Sequence, residues 1–360
     1  GDFPDLIRAI LFEHLNICEK IGLKNYVFEI VTEKAICIKS NSKVRLTVVN
    51  NEYVTTNHTL FKARNLQFAL EFEGNSYLKN DDYIVHLDED SLMTKNAIIG
   101  IINFVAKAKY DFGHGVILYS KDILNWWIMI HESIKVATDY GCIQFQFRLF
   151  HKLLYLWKGS FIVARVGAER NVGFDHGIEP SIAEDNFFGL KASSMGYTFD
   201  FIDGEVFEFT TITLKDFFKQ RQRWALGSRL NIMSPLIPLQ FKVFYAAPFL
   251  ASWVYVLIIP YSILRVMHPI PLDNIFDFLL SFTFCVELYS KLFGAIKQLL
   301  LSNRRNIFWG LLSTILLHFI PVTFIIEVCA VFSSFFIRNL YFHVTKKSVN
   351  QQCFSNSINA

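Results

Sequence analysis

Charge is scarce in this chain. Only 19% of its 360 residues are Asp, Glu, Lys or Arg, where a soluble domain carries about 25%. The formal net charge of +3 is unremarkable as a total, and no nucleic-acid partner is expected. Cysteine is sparse too. Cys18, Cys37, Cys142, Cys285, Cys329 and Cys353 are scattered without C-x-x-C spacing. That scatter suits neither a disulfide framework nor a zinc site, and it fits a reducing compartment. There is no internal repeat, which excludes solenoids and propellers, and no low-complexity linker.

What the chain has in excess is apolar surface. Hydrophobic residues reach 52% and the mean hydropathy is +0.31, so part of it is expected in lipid. Residues 1–210 alternate between strand and helix patterns. YVFEIVT (26–32) and YIVHL (83–87) read as strands, and LFKARNLQFALEF (60–72) and NAIIGIINFVAKA (96–108) as helices. Such alternation predicts an α/β fold with a mostly parallel sheet and ligands at the carboxyl ends of its strands. The opening GDFPDLIRAILFEHL (1–15) reads as a turn and a helix. An α/β domain usually starts on a strand, so upstream sequence is expected.

The second half is predicted to be an all-α transmembrane region, 243–340, followed by a polar tail, 341–360. Its apolar stretches at 243–267, 275–301 and 307–337 each exceed the roughly 20 residues a crossing needs. The third holds Pro321 and reads as one kinked span or a hairpin. Residues 211–242 join the two halves. Within them Lys215, Lys219, Arg221, Arg223, Arg229 and Lys242 face one acid, Asp216. Arg304 and Arg305 lie between the second and third stretches, whereas HPIPLDN (268–274) has no Lys or Arg. This asymmetry predicts a cytosolic catalytic half. His318, Glu287 and Glu327 fall inside apolar stretches and are assigned no role. Asn57-His58-Thr59 is the one N-glycosylation sequon; a cytosolic domain leaves it bare.

Three clusters carry chemistry. Asp88-Glu89-Asp90 ends a predicted strand. Carboxylates there can hold a divalent cation, which would bind the diphosphate of a sugar nucleotide; a solvated turn has the same appearance. Ala183-Glu184-Asp185 follows Ser181 in an S-x-x-E capping box. A helix is expected from there to Met195, with ionised carboxylates at its N-terminus that act as a general base or only as caps. Gln220-Arg221-Gln222-Arg223-Trp224 follows a second box, Thr213 to Asp216. Gln220, Arg223 and Trp224 then share a helix face that suits a phosphate and a sugar ring. The other reading is a basic amphipathic helix resting on anionic lipid, with Leu214, Phe217 and Phe218 in the interface; the two can hold together, and 211–242 is predicted to be an amphipathic interface helix region before the first apolar stretch. Lys62, Arg64 and Asn65 open the helix after residue 60 and read as nucleotide contacts or surface polar residues. Lys158-Gly159-Ser160 precedes FIVARV (161–166), and a Gly there lets a substrate approach the backbone, or simply makes a turn.

Taken in order, the DED, KGS, AED and QRQRW segments resemble the motif series of inverting family 2 glycosyltransferases. GDFPDLI (1–7), IVHLDEDSLMT (84–94), GIINF (100–104), LFHKLLYLWKGSFIV (149–163), IAEDNFF (182–188) and GYTFDFIDGE (196–205) resemble, more narrowly, the egghead-type β-1,4-mannosyltransferases. The resemblance is close over residues 1–240. It implies a GT-A fold and a hexosyltransferase that moves mannose from GDP-mannose to glucosylceramide. It implies Asp185 as the catalytic base, and Lys62, Arg64, Asp88 and Arg223 on the donor. Gly159, Ser160, Glu184, Gln220 and Trp224 would meet the acceptor, and Asp90 with Asp88 would bind Mg²⁺ or Mn²⁺. The implied partners are a sugar-nucleotide donor, a glycolipid acceptor and membrane lipids, on an endoplasmic reticulum or Golgi membrane. Glu33 stands where the family usually has an Asp facing the base. Two rival readings are a polysaccharide synthase, which needs a longer channel, and an inactive relative that only binds a membrane or a partner.

Overall fold

The computed structural model describes residues 3–119, 132, 135–209, 211, 213–268, 274–301 and 320–337. The chain starts with helix α1 (Pro4–Ile21). Pro4 stands at its N-terminus with Asp5 in the first turn, where both are favourable. Strands β1 (Phe28–Thr32) and β2 (Val44–Val48) form a small parallel pair. Helix α2 (Phe61–Glu71) follows. Then come β3 (Tyr83–His86), β4 (Leu92–Met93), α3 (Lys95–Lys107) and β5 (Phe112–Tyr119). All eight residues of β5 are buried, as a central strand covered on both faces requires.

Two π-helical turns, Asp139–Ile143 and Gln146–Phe150, lead towards β6 (Ile162–Arg165) and α4 (Val166–Val172). The chain goes on with α5 (Glu184–Ser194), β7 (Phe199–Glu208) and α6 (Leu214–Met233). Helices α7 (Val243–Met267), α8 (Asn274–Leu301) and α9 (Ile320–Ser334) complete it. Arg265 of α7 pairs with Asp277 of α8 at 2.5 Å.

The α/β class holds, but the sheet is mixed rather than mostly parallel. Its order is β3-β6-β5-β7-β4. Only β5 and β7 run parallel; β6 opposes both neighbours, and β4 opposes β7. The reason lies in the Lys158-Gly159-Ser160 turn. It sits where β3 ends, with Asp88 N–H donating to Ser160 Oγ at 3.2 Å. A strand that starts at the end of its neighbour must run backwards. The curled mixed sheet with its helices fits a GT-A arrangement.

The core is aromatic. The Phe112 ring meets Phe188, Tyr197 and Phe199 at 5.5–5.7 Å and Trp157 at 6.3 Å, separations at which edge-on rings attract. Trp157 is fully buried directly before the turn, which roots that turn in the core.

One expected capping box forms and one does not. Thr213 Oγ1 accepts from Asp216 N–H at 3.1 Å. Ser181, by contrast, lies inside a 3₁₀ turn (Pro180–Ala183), and α5 has no side-chain cap. Its hydroxyl accepts from Leu60 N–H at 2.9 Å and donates to Gly177 O at 2.7 Å. The turn has already committed that backbone, so the hydroxyl ties α2 to α5 instead. Phe217 also departs from expectation. It is fully buried and offers nothing to a lipid surface.

Helices occupy the apolar stretches. Among the described residues, no helix is long and apolar enough to cross a membrane. The side chains of 251–260 and the whole of 302–319 and 338–360 lie outside the described residues. The 302–306 loop, His318, residues 307–319 of the kinked span or hairpin expected at 307–337, and the tail fall there.

Helix α6 docks on the turn before α5 through a glycine. A Cβ on Gly227 would come within 2.5 Å of Ala183 Cβ, and Asn231 Nδ2 donates to Ala183 O at 3.2 Å. Gly227→Ala gains up to about 1 kcal/mol of helix propensity but overpacks a contact, which costs about 1–3 kcal/mol. The net expectation is a lower Tm. Thermal unfolding of the purified variant checks it; an unchanged or raised Tm would show that α6 moves freely away.

Candidate active site

Five chain segments deliver carboxylates or cations to one place. Asp88, Glu89 and Asp90 follow β3, and Glu208 ends β7. Glu184 and Asp185 open α5, Lys62 stands in the first turn of α2, and Gln220, Arg223 and Trp224 line one side of α6. All of them border a single cavity of about 2160 Å³. That exceeds the usual 300–1,000 Å³ of a one-ligand pocket and leaves room for a nucleotide and an acceptor headgroup together.

Lys62 is the link between the walls. Its Nζ pairs with Asp88 Oδ1 and donates to Gly159 O at 3.0 Å. Burial opposes the charge, but Asp88 and Glu184 more than offset it and hold the ammonium protonated. Gly159 sits tight against both walls. A Cβ there would lie 3.0 Å from Lys62 Nζ and 3.4 Å from Asp185 Oδ2. The backbone of Phe61 and Phe161 is in the left-handed region, at φ 55° and 53°. That conformation costs a bulky residue roughly 1–2 kcal/mol, and here each one sets the residue beside it, Lys62 or Ser160.

The acidic pair at α5 differs from expectation in its charge state. Burial raises the Glu184 carboxyl to about 7, with Asp185 adding to it and Lys62 and Arg223 opposing. Burial raises Asp185 as well, against the Asn186 N–H that donates to Oδ1 at 2.7 Å and against Lys62 and Arg223. Desolvation therefore outweighs the helix-end field that favours ionisation. Burial lowers Arg223, while Glu184 and Asp185 oppose that shift.

A serine relay joins the β3 end to Glu208. Ser91 Oγ and Ser160 Oγ lie 2.7 Å apart, and Ser91 donates to Glu208 Oε1 at 2.9 Å. Burial, then Asp90 and Asp88, push the Glu208 carboxyl up to about 7. Asp90 is buried and its Oδ2 accepts from Phe209 N–H at 3.2 Å. Among the described residues no group of three or more His, Cys, Asp or Glu is arranged to hold a metal. Asp88 and Asp90 supply two hard-oxygen donors, the number Mg²⁺ commonly takes from protein when a diphosphate completes its shell. By donor chemistry they fit the ion.

Gln220 Oε1 is buried and accepts no hydrogen bond among the described residues, which suits a ligand hydroxyl. Arg64 does not line the cavity. Its guanidinium bonds Tyr53 O at 2.9 Å, Asn50 O at 2.6 Å and Glu33 Oε1 at 3.1 Å. It braces the wall that Glu33 and Asn65 face.

Several further lining residues were given no role by the sequence, Lys158 and Arg221 although they stand inside the KGS and QRQRW segments. Lys135 is buried, pairs with Glu132, and lies 3.6 Å from the Tyr119 ring centre and 5.2 Å from that of Trp224. Lys158 pairs with Asp139 and meets Tyr119 OH at 3.1 Å. Arg221 lies between Glu132, at 3.3 Å, and Glu327 of α9, at 3.6 Å. Glu208 was findable, because it ends a strand as Asp88 follows one. Glu327 was visible as an acid in an apolar run.

Residues 83–342 match the family described as Glycosyl transferase family group 2. The chain is similar to the β-1,4-mannosyltransferase egh of Drosophila melanogaster, at 41% identity over 353 residues, covering 97% of this chain and 76% of that protein. It is similar to the β-1,4-mannosyltransferase bre-3 of Caenorhabditis briggsae, at 42% over 355 residues, 97% and 77%. The Caenorhabditis elegans bre-3 protein shares 41% over 360 residues.

Gly159→Ala tests the geometry. The added methyl must push Lys62 or Asp185 aside by a few tenths of an ångström, on a turn rooted in the core. Turnover is expected to fall by roughly 10²-fold with little change in Tm. Turnover and melting measured on one preparation check this, and normal turnover would mean that the two walls do not act together.

Proposed function

This chain belongs to glycosyl transferase family group 2 and is a hexosyltransferase, and from that premise we propose that it transfers mannose from GDP-mannose to glucosylceramide, with inversion, in a β-1,4 linkage. One observation carries the chemistry. The Asp185 carboxylate faces the Gly159 backbone across a gap that no side chain fills, with Lys62 beside both.

An acceptor hydroxyl in that gap loses its proton to Asp185. The oxygen attacks the anomeric carbon, and the bond from that carbon to the donor diphosphate breaks. The electron pair leaves with the diphosphate, opposite the incoming oxygen, so the configuration inverts. Lys62 and Arg223 face the charge that develops there, preorganised and out of bulk water. A divalent cation held by Asp88 and Asp90 would neutralise part of that charge. Trp224 offers an aromatic face to the acceptor ring, and Gln220 an open acceptor atom.

The far end of the cavity supports a lipid-linked acceptor. Pro248 and Phe249 of α7 and Val328 and Val331 of α9 line it. In this reading α7, α8 and α9 belong to an integral membrane part of an endoplasmic reticulum or Golgi protein. The basic segment 214–242 keeps the catalytic half cytosolic. A cytosolic catalytic half leaves Asn57, which is exposed, unglycosylated; a mobility shift on endoglycosidase treatment of membranes would reverse that orientation.

Two outcomes test the reaction. Asp185→Asn keeps size but removes the proton acceptor, and transfer is expected to drop by roughly 10²-fold or more with donor binding retained. In the parent enzyme both acids at α5 are raised, so the base form is lost on acidification at a pH above the ordinary carboxylate value of about 4. Transfer therefore rises with pH through a limb displaced upwards, which a pH–rate profile measures. A rate independent of pH down to the ordinary carboxylate range, or a normal rate in Asp185→Asn, would remove Asp185 from the mechanism. Separately, transfer is expected to require Mg²⁺ or Mn²⁺ and to fail in Asp90→Asn; full activity in excess EDTA would exclude the cation.

A further inference from the structure

We propose that residues 145–155 form a second membrane contact, which seats Phe145, Leu149 and Phe150 in the bilayer interface beside the entrance for the acceptor. The inference rests on the membrane reading above and adds a surface to it.

These three side chains are unusually open for their size. Phe145 is 43% exposed, Leu149 67% and Phe150 49%. They are also held rigidly. Gln146, fully buried between them, accepts from Leu154 N–H at 3.0 Å and Tyr155 N–H at 2.9 Å and donates to Leu156 O at 2.7 Å. Phe147 is buried beside it. The chain therefore fixes a turn whose inward residues are satisfied and whose outward residues are apolar. A buried amide making three bonds is a costly way to display loose hydrophobics, because an imperfect network there is destabilising.

The patch continues onto the apolar helices. Phe145 meets Phe150 at 5.2 Å and Tyr155 at 6.3 Å, and Tyr155 meets Phe244, at the start of α7, at 6.1 Å. Leu239, Val243 and Phe244 are themselves at least half exposed. One apolar surface thus joins the catalytic domain to the first apolar helix. Lys152 is exposed in the same segment, where a long basic side chain reaches anionic headgroups while aromatic rings settle at the interface; Arg148 is paired with Asp203. A bilayer, unlike a single protein partner, also covers α8, where Phe276, Phe278 and Phe282 are exposed.

Position gives the patch its use. Tyr155 and Leu156 line the cavity together with Phe249. A glycolipid whose tails stay in the bilayer would then enter between two anchored walls. The beginning of α6, assigned this role from its sequence, has turned Phe217 inward instead.

Site-specific fluorescence in lipid settles it. The full-length protein, with its native cysteines replaced, takes one cysteine labelled with an environment-sensitive dye. The label stands at Leu149, at Phe282, or at Glu52, an exposed control. Each is reconstituted in phosphatidylcholine–phosphatidylserine vesicles and quenched by nitroxide-labelled phospholipid or by aqueous iodide. The label at 149 is expected to be quenched by the lipid nitroxide several-fold more than the label at 52, and to be shielded from iodide. If 282 responds to lipid while 149 behaves like 52, the patch is overturned and the membrane reading stands. If neither 282 nor 149 responds, both fall. Shielding of 149 from lipid and iodide alike would mean that protein covers the patch, and would also overturn the proposal.

Discussion

A single ammonium among carboxylates organises this site. Asp88, Glu184 and Asp185 arrive from different parts of the chain and would repel one another in a buried cavity. Lys62 pairs with the first, and its charge is sustained by the second and by the bond to Asp88. It also grips the Gly159 carbonyl, so its place is set by backbone as well as by charge. Removing it would leave the carboxylates uncompensated, although the Lys62 and Asp88 side chains are 30% and 40% exposed, so solvent screening holds the cost well below that of a fully buried pair. The β3 end, the turn before β6 and the start of α5 are held in register by this contact.

That register depends in turn on a strand running the wrong way. Alternating strands and helices suggested parallel order, in which only carboxyl ends reach the site. Because β6 is reversed, its amino end reaches it too, bringing Gly159 and Ser160 to Asp88. Strand β7 adds a bulge: the register slips where Val116 pairs with Glu205, two residues further on than His114 and Phe201 imply. A bulge re-aims the side chains beyond it, and Glu208 is one of them.

Local pattern made much of this legible. Strands at 26–32 and 83–87 and helices at 60–72 and 96–108 lie within a few residues of where periodicity put them, since each buries one face. The four motifs were legible as residues, and they do meet in one cavity. Direction of pairing was not legible, because a four-residue strand such as β6 reads alike both ways. Nor was the charge state of the α5 acids. A helix N-terminus announces itself in sequence, but the burial that overrides it is tertiary. Arg64 read as a nucleotide contact or a surface polar residue, and the resemblance implied the donor. Whether it faces the cavity or the 50–53 turn is a matter of one rotation about α2. Lys135 and Glu132 act on Trp224 and Arg221, far off in sequence, and Lys158, although inside the KGS segment, pairs with Asp139, which local pattern does not show.

Those silent residues explain how the aromatic wall is held. The Trp224 ring has the Arg221 guanidinium at 4.5 Å and the Lys135 ammonium at 5.2 Å from its centre, cation–ring contacts worth roughly 0.5–2 kcal/mol each. Glu132 contacts both cations, and Glu327 reaches Arg221 from α9. Burial lowers the Lys135 ammonium well below its ordinary value, and the neighbouring Arg221 and Lys158 lower it further. So the two cations are not equivalent: Arg221 is the firmer charge and carries the link outward. The Trp224 indole is thus braced from behind by a helix of the apolar part. Through Glu327 that helix forms one side of the cavity, so in the proposed reading it would bear on the orientation of the acceptor and tie the chemistry at Asp185 to the apolar lining at Phe249.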